Sequence, residues 1–231
     1  MKIATAAYPL DVLTSWAQYE DKLAGWVATA AASGAELLVF PEYGAMELAT
    51  LAGLDVAGNL EASLFAVSDR LADADAAHQK LAAEYGVHIV AASGPAVTPA
   101  AARPVNRARL ITPSGQVGVQ DKQIMPRFER EVWGVVGGEP LRIFETTLGK
   151  ISILICYDSE FPLLGRALAD CDIIAVPSVT EALAGYWRVR IGSMARALEN
   201  QCVTAMSSCI GPADWSEALG TSYGAGGLFC P

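Results

Sequence analysis

The sequence is short of histidine, of positive charge and of long apolar runs. Histidine occurs only at His78 and His88 in 231 residues. His78 reads as part of a helix and His88 as part of a strand, and neither stands beside a strand-end cysteine. No H-E-x-x-H pair and no G-x-S-x-G turn occurs, so a zinc-hydrolase helix and a serine-hydrolase elbow are unsupported. Lys and Arg number 16 against 25 Asp and Glu, a net charge of −9, with pI near 4.7. That balance repels phosphate and argues against nucleic acid or an anionic membrane as partner. The longest apolar stretch, Leu23 to Ser33, is about half a membrane span. Met1-Lys2-Ile3-Ala4-Thr5 opens no apolar run with a cleavage site, so no signal peptide is expected. The cysteines, Cys156, Cys171, Cys202, Cys209 and Cys230, are odd in number and form no C-x-x-C pair. A disulfide scaffold is not expected, and neither is a metal or a cofactor; a reducing cytoplasm fits best.

Apolar residues, by contrast, are abundant. Hydrophobic types make up 52% and charged types 18%, with mean hydropathy +0.32. Intrinsic disorder needs the opposite balance. The 40 alanines favour helices packed closely on something else. The length suits one large domain or two small ones. A chain this apolar must hide much of its surface.

Short β-branched runs alternate with longer Ala-rich ones, with no linker or repeat. Lys2–Ala7 reads as a strand. Thr14 caps a helix through Ala32, with Trp16, Tyr19, Leu23, Trp26 and Ala30 on one stripe. Glu36–Phe40 is a compact strand. Leu60–Tyr85 is helical, broken near Asp73 and stopped by Gly86. Val87–Ser93 follows as a strand. Val105–Thr112 and Gln116–Asp121 flank the hairpin signal Pro113-Ser114-Gly115. Leu141–Glu145 and Lys150–Ile155 pair around Leu148-Gly149. Ser159–Ala169 reads as a helix, Asp172–Val176 as a strand, Tyr186–Asn200 as a helix and Cys202–Met206 as a strand. This β-α-β rhythm with inserted hairpins predicts a layered α/β fold with mixed sheets.

Three reactive residues share one context. Glu42 follows Glu36–Phe40, Lys122 follows Gln116–Asp121, and Cys156 follows Lys150–Ile155. Sites in open α/β sheets form at the carboxyl ends of strands, so the three can converge. A thiol is a strong nucleophile as its thiolate; a carboxylate takes the proton, and a lysine stabilises the thiolate and a developing oxyanion. A helix capped by Asp158 or Ser159 adds a favourable dipole at Cys156.

Phe40-Pro41-Glu42, Asp121-Lys122-Gln123 and Ile155-Cys156-Tyr157-Asp158-Ser159-Glu160-Phe161-Pro162 resemble the motifs of the nitrilase, or carbon–nitrogen hydrolase, superfamily. Val176-Pro177-Ser178 resembles its later strand-end motif and Arg196-Ala197-Leu198-Glu199-Asn200 its following helix. The order and spacing match over essentially the whole chain. The resemblance implies a four-layer αββα sandwich of two mixed sheets with outer helices, spanning residues 1–231 as one domain. Members usually continue past the strand near Tyr223, so the C-terminal tail is expected to be missing here. Glu42 is then the general base, Lys122 the oxyanion stabiliser and Cys156 the nucleophile. The backbone N–H of Tyr157 is a second oxyanion donor. A bracing glutamate is expected in the loop after the lysine, with Glu129 the choice and Glu131 the alternative.

The implied reaction is hydrolysis of a small linear amide through a Cys156 thioester, giving a carboxylic acid and ammonia. True nitrilases usually follow the cysteine with Trp-Glu, whereas Cys156-Tyr157-Asp158 looks like the amidase and N-carbamoyl branches. N-carbamoyl compounds rank second and nitriles third; a silent protein that binds a small molecule or partner is the alternative of a different class. Some carbamoyl-amino-acid members place carboxylate-gripping arginines just after the cysteine, where this chain has Ser159 and Glu160. Arg127 or Arg188 could supply that charge. Tyr43, Phe128, Ser178 and Trp187 are candidate pocket residues. Cys171, Cys202, Cys209 and Cys230 read as small buried hydrophobes, and Asp158 as an N-cap or structural acceptor. Arg196 and Glu199, three apart, can form a simple helix-surface pair; the resemblance implies a role in packing or subunit contact instead. Gly224-Ala225-Gly226-Gly227 reads as a strand bend or turn. Members dimerise through helices, so a homodimer or higher homo-oligomer is expected to cover part of the apolar surface.

Overall fold

A computed structural model describes residues 1–231. The elements run β1 (Ile3–Thr5), β2 (Ala7–Pro9), α1 (Trp16–Ala32), β3 (Leu37–Val39), a 3-10 stretch at Gly44–Ala52, α2 (Leu54–Gly58), α3 (Leu60–Ser68), α4 (Leu71–Tyr85), β4 (His88–Ala96), β5 (Val105–Ile111) and β6 (Val117–Asp121). A π-turn at Glu129–Trp133 precedes β7 (Phe144–Thr146) and β8 (Gly149–Ile153). A 3-10 turn at Cys156–Glu160, α5 (Pro162–Ala167), β9 (Ile173–Ser178), α6 (Leu183–Asn200), β10 (Val203–Ala213), β11 (Gly220–Ser222) and β12 (Gly227–Phe229) complete the chain.

The strands form two mixed sheets. One has the order β1-β3-β4-β5-β6; the other runs β11-β10-β9-β8-β7, with β2 and β12 also paired to β10. Side chains alternate across a strand, and β3 divides accordingly. Leu37 and Val39 face inward between the sheets with Val90, Ala108 and Leu110, against Ile151, Ile153, Ile173 and Ala175 of the second sheet. Leu38 and Phe40 face outward onto Leu23 and Val27 of α1 and Leu71 and Leu81 of α4. Val189 of α6 packs on the second sheet. The layers are therefore helix, sheet, sheet, helix, as expected from the sequence. Strands apolar on both faces account for much of the hydrophobic composition. No helix is long and apolar enough to cross a membrane.

Several boundaries differ from the sequence expectations. Lys2–Ala7 is not one strand but a crossing between sheets. Ala6 donates its N–H to Val39 of the first sheet, and its carbonyl accepts from Ser208 of the second. Ser15, rather than Thr14, caps α1 by accepting from the Gln18 N–H. The helical break falls at Asp69 and Arg70, not at Asp73, where the Ser68 hydroxyl is drawn away to accept the Val97 N–H. The segment expected as one helix over Ser159–Ala169 is a 3-10 turn followed by the short α5, which starts at Pro162 because proline is suited to the first helical position.

Candidate active site

β3, β6 and β8 end on one side of the molecule, and the residues just beyond them meet there. Lys122 Nζ lies 2.6 Å from Glu42 Oε1 and also hydrogen-bonds Glu129 Oε1. Glu42 Oε1 accepts a second bond from Asn106 Nδ2 at 3.0 Å. Glu42 Oε2 accepts from the Val179 N–H at 3.2 Å. The Cys156 thiol faces Glu42 and reaches the Val179 carbonyl at 3.6 Å. Glu42, Lys122, Cys156 and Glu129 are all buried. The three residues expected to converge do so.

The structure also separates the two candidate bracing glutamates. Glu129 is buried, bonding Lys122 and accepting from the Tyr43 hydroxyl at 2.9 Å. Glu131 lies outside, paired with Arg127 at 2.7 Å and Arg130 at 2.9 Å. The π-turn carries Glu129 inward and Glu131 outward.

Two backbone features fix the geometry. Tyr43 and Cys156 both adopt the left-handed region, with φ of 54° and 48°. Each such non-glycine conformation costs about 1–3 kcal/mol and persists where surroundings impose it. The turn at Cys156 is held by Asp158, whose carboxylate accepts N–H bonds from Gln123, Ile124 and Ile155 at 2.9–3.3 Å. Asp158 is thus a structural acceptor that ties the cysteine turn to the lysine strand end. Arg196 clamps the same turn from α6, donating to the Ser159 carbonyl at 2.8 Å and pairing with Glu199.

Burial raises the Glu42 carboxyl to about 7, with Lys122 opposing and Glu129 reinforcing that rise. Burial alone would lower the Lys122 ammonium, but Glu129 and Glu42 outweigh it and hold the lysine above its ordinary value. Burial, then the Glu42 charge, pushes the Cys156 thiol well up against the pull of Lys122. The sequence had suggested a thiolate favoured by lysine and a helix N-terminus. In the folded protein no α-helix starts at Cys156, and burial and Glu42 favour the neutral thiol over the thiolate.

Glu42, Cys156 and Glu129 line a cavity of about 540 Å³; Lys122 is buried and is not part of its lining. Tyr43, Phe128, Trp133, Tyr157, Val189 and Leu219 give it an apolar wall, and Arg127, Glu160, Glu181 and Arg188 also line it. Tyr43 and Phe128 therefore line it as expected. Ser178 and Trp187 do not. Ser178 is turned into the sheet, donating to the Ser207 carbonyl at 2.7 Å. Trp187 lies on the outer face of α6, 49% exposed and stacked near Tyr186. No group of three His, Cys, Asp or Glu side chains is arranged to hold a metal ion. Cys171, Cys202 and Cys209 are buried as expected, but Cys230 is exposed, because it follows β12 near the chain end. Sequence reasoning passed over Asn106 and Val179. The signal for Asn106 was an amide on the same strand face as Ala108 and Leu110, opposite Arg107 and Arg109; Val179 acts through its backbone and left none.

Comparison with known proteins converges on one family. The carbon-nitrogen hydrolase family profile matches residues 2–226. The chain is 30% identical over 233 residues to the "Probable hydrolase YhcX" of Bacillus subtilis, covering 100% of this chain and 44% of that protein. It is 32% identical over 120 residues to the "Omega-amidase YafV" of Escherichia coli K12, covering 52% of this chain and 44% of that one. The chain thus spans less than half the length of either relative. Among solved structures, the amidase from Nesterenkonia sp. AN1 superposes with a TM-score of 0.71 at 22% identity, covering 100% of this chain and 83% of that one. Saccharomyces cerevisiae Nit3 does so with 0.76 at 19% identity, covering 99% and 81%. At these identities the structural likeness concerns the fold.

Proposed function

The chain belongs to the carbon-nitrogen hydrolase family, and from that premise we propose that it hydrolyses a small linear amide through a thioester on Cys156. The observation that carries this reading is that Glu42 and Cys156 face each other in the lining of one cavity, with buried Lys122 bonded to Glu42. Cys156 Sγ attacks the amide carbon while Glu42 takes the thiol proton. Lys122 and the backbone N–H of Tyr157 stabilise the oxyanion. Glu42 then protonates the departing amine as the tetrahedral intermediate collapses to the thioester. Water, deprotonated by Glu42, attacks the thioester, releasing the acid and restoring the thiol. Glu129 keeps the lysine cationic and in place. Curated relatives named as amidases support an amide substrate, and others named as nitrilases keep nitriles among the compounds to be assayed. N-carbamoyl compounds are the second reading, favoured by Arg127 and Arg188 in the cavity lining, where a substrate carboxylate could meet a guanidinium. A panel of amides, N-carbamoyl compounds and nitriles, assayed for ammonia with mass spectrometry for a trapped acyl group on Cys156, tests the proposal. Turnover of amides with acylated Cys156 is expected; release of ammonia without any acyl adduct or dependence on Cys156 counts against it.

The same reading predicts the pH dependence. A base must be ionised to act, and kcat/KM reports the free enzyme's essential groups. Activity should therefore rise with pH through an acid limb near 7, the value to which burial raises Glu42. An acid limb near pH 4, as for an exposed glutamate, would show that another group is the base.

Self-association covers the remaining apolar surface in this proposal. Leu183, Trp187, Ile191, Met194 and Leu198 are 49–62% exposed along one stripe of α6. An antiparallel second copy of α6 crossing at Ile191 sets Leu183 against Leu198 and Trp187 against Met194, the self-complementarity that a two-fold contact needs. Light scattering should give a dimer or larger for the parent and a monomer for Ile191→Glu. A parent chain that is monomeric at micromolar concentration overturns this. The family likeness and the free thiols support a reducing cytoplasm as its place of action.

A further inference from the structure

Asn106 is the residue of β5 whose side chain reaches Glu42, and the reaction scheme leaves it unused. Its side chain lies on the inter-sheet face that Ala108 and Leu110 share, and it is completely buried. Its Nδ2 donates to Glu42 Oε1 at 3.0 Å. Its own Oδ1 is buried without a partner. Its backbone carbonyl accepts from the Lys122 N–H at 2.9 Å. One residue thus grips the carboxylate through its side chain and the lysine through its main chain. A leucine would fill this apolar face without leaving an oxygen unpaired, and an unpaired buried acceptor is a cost to folding. The amide is in place despite that cost.

The two oxygens of Glu42 are unequal as a result. Oε1 receives both the Lys122 ammonium and the Asn106 amide, whereas Oε2 receives only the Val179 N–H at 3.2 Å. Val179 also presents its carbonyl to the Cys156 thiol at 3.6 Å, so Oε2 is the oxygen on the cysteine side. Resting on the catalytic reading above, we propose that Asn106 is a positioning residue that pins Oε1 and leaves Oε2 as the oxygen that accepts the thiol proton. Lysine alone cannot do this, because it is shared with Glu129 and its donors can rotate between the two carboxylates. Asn106 is neutral, so it adds direction without adding charge. The charged or titratable groups facing Glu42 are Lys122 beyond β6, Glu129 of the π-turn, Cys156 beyond β8, and the adjoining Tyr43. Cys209 of β10 contacts only the Glu42 backbone carbonyl.

Asn106→Leu tests the assignment, because it keeps the branched shape and removes the donor. A donor to the ionised form is worth about one unit of carboxylate pKa, and losing it disfavours that form. The acid limb of kcat/KM should therefore move up by about one pH unit, with KM changed less than kcat. A merely structural residue would lower activity equally at every pH, and an unmoved limb in a folded variant overturns the proposal. Asn106→Asp is the near-isosteric control if the leucine variant fails to fold. There the new carboxyl must be protonated to donate, so the profile should gain a basic limb; a parental profile in that variant overturns the proposal. The pH dependence of Cys156 alkylation by iodoacetamide, followed on its own peptide in a Cys230→Ser background, reads the same carboxylate without a substrate. If no amide or carbamoyl compound is turned over but the alkylation limb still shifts in Asn106→Leu, the catalytic reading fails and the positioning role stands. If turnover is present and neither limb shifts, the reverse holds.

Discussion

Cys156→Ala is expected to abolish ammonia release from every substrate in the panel while the protein still folds. The activity loss should be at least ~10⁴-fold, the order seen when a nucleophile that acts as a unit with its base is removed. The stability cost is small by comparison. The side chain is buried, but its only strong neighbour is Glu42, and it makes one long contact to the Val179 carbonyl. Removing one sulfur should cost about 1 kcal/mol, like one buried methyl. The left-handed backbone at this position, φ of 48°, is as unfavourable for alanine as for cysteine, so it does not alter the balance. Cys156→Gly should be inactive too, yet relieved of that strain. Cys156→Ser should also be strongly impaired, because a hydroxyl is far less acidic than a thiol and a weaker nucleophile in a site shaped around sulfur. Ammonia release and thermal melts on the three variants check this. Full activity in the alanine variant would refute the thioester route.

The positions of the reactive residues were legible in the sequence because a strand end is a local feature. Glu42, Lys122 and Cys156 each follow a compact β-branched run, and a run's end can be read without knowing what packs on it. The choice of Glu129 over Glu131 rested on the family likeness and had no local mark to decide it. Two glutamates two residues apart differ only in which way a π-turn throws them. Trp187 failed for a related reason. Helical periodicity gives a stripe, but not whether the stripe faces the cavity or solvent, and Arg188 and Val189 took the inner side. The crossing of Ala6 between sheets rests on Val39 and Ser208, which are distant in sequence and carry no local mark. The upward shift of the Cys156 thiol was not legible in the sequence, because charge counting near it omits burial, the largest influence on it. The layer order, by contrast, follows from alternation: in β3 it sends Leu37 and Val39 one way and Leu38 and Phe40 the other.

Lys122→Met should remove both activity and stability, with the second loss depending on pH. Lys122 is the one cation in contact with Glu42 and Glu129, and none of the three is appreciably exposed. Losing an oxyanion donor lowers kcat by ~10²–10³-fold. The misplacement of Glu42 that follows should lower it further. Breaking a buried ion pair by removing one partner costs about 3–5 kcal/mol, because an uncompensated charge is left behind. That charge can be neutralised by a proton. Glu42 is already raised to about 7 with the lysine present, and it rises further without it. A carboxyl whose folded value lies above its unfolded value holds more protons in the folded state, so folding is favoured as pH falls. The parent therefore loses some stability as pH rises from the ordinary glutamate range through 7, and the variant loses more, over a wider interval. The difference in melting temperature between the two should be small near pH 5 and large near pH 8. Lys122→Arg should rescue neither property, since a planar guanidinium cannot replace a compact ammonium between two carboxylates in a close-packed site. A gap in melting temperature that is the same at both pH values would mean that Lys122 acts by filling space rather than by balancing Glu42 and Glu129.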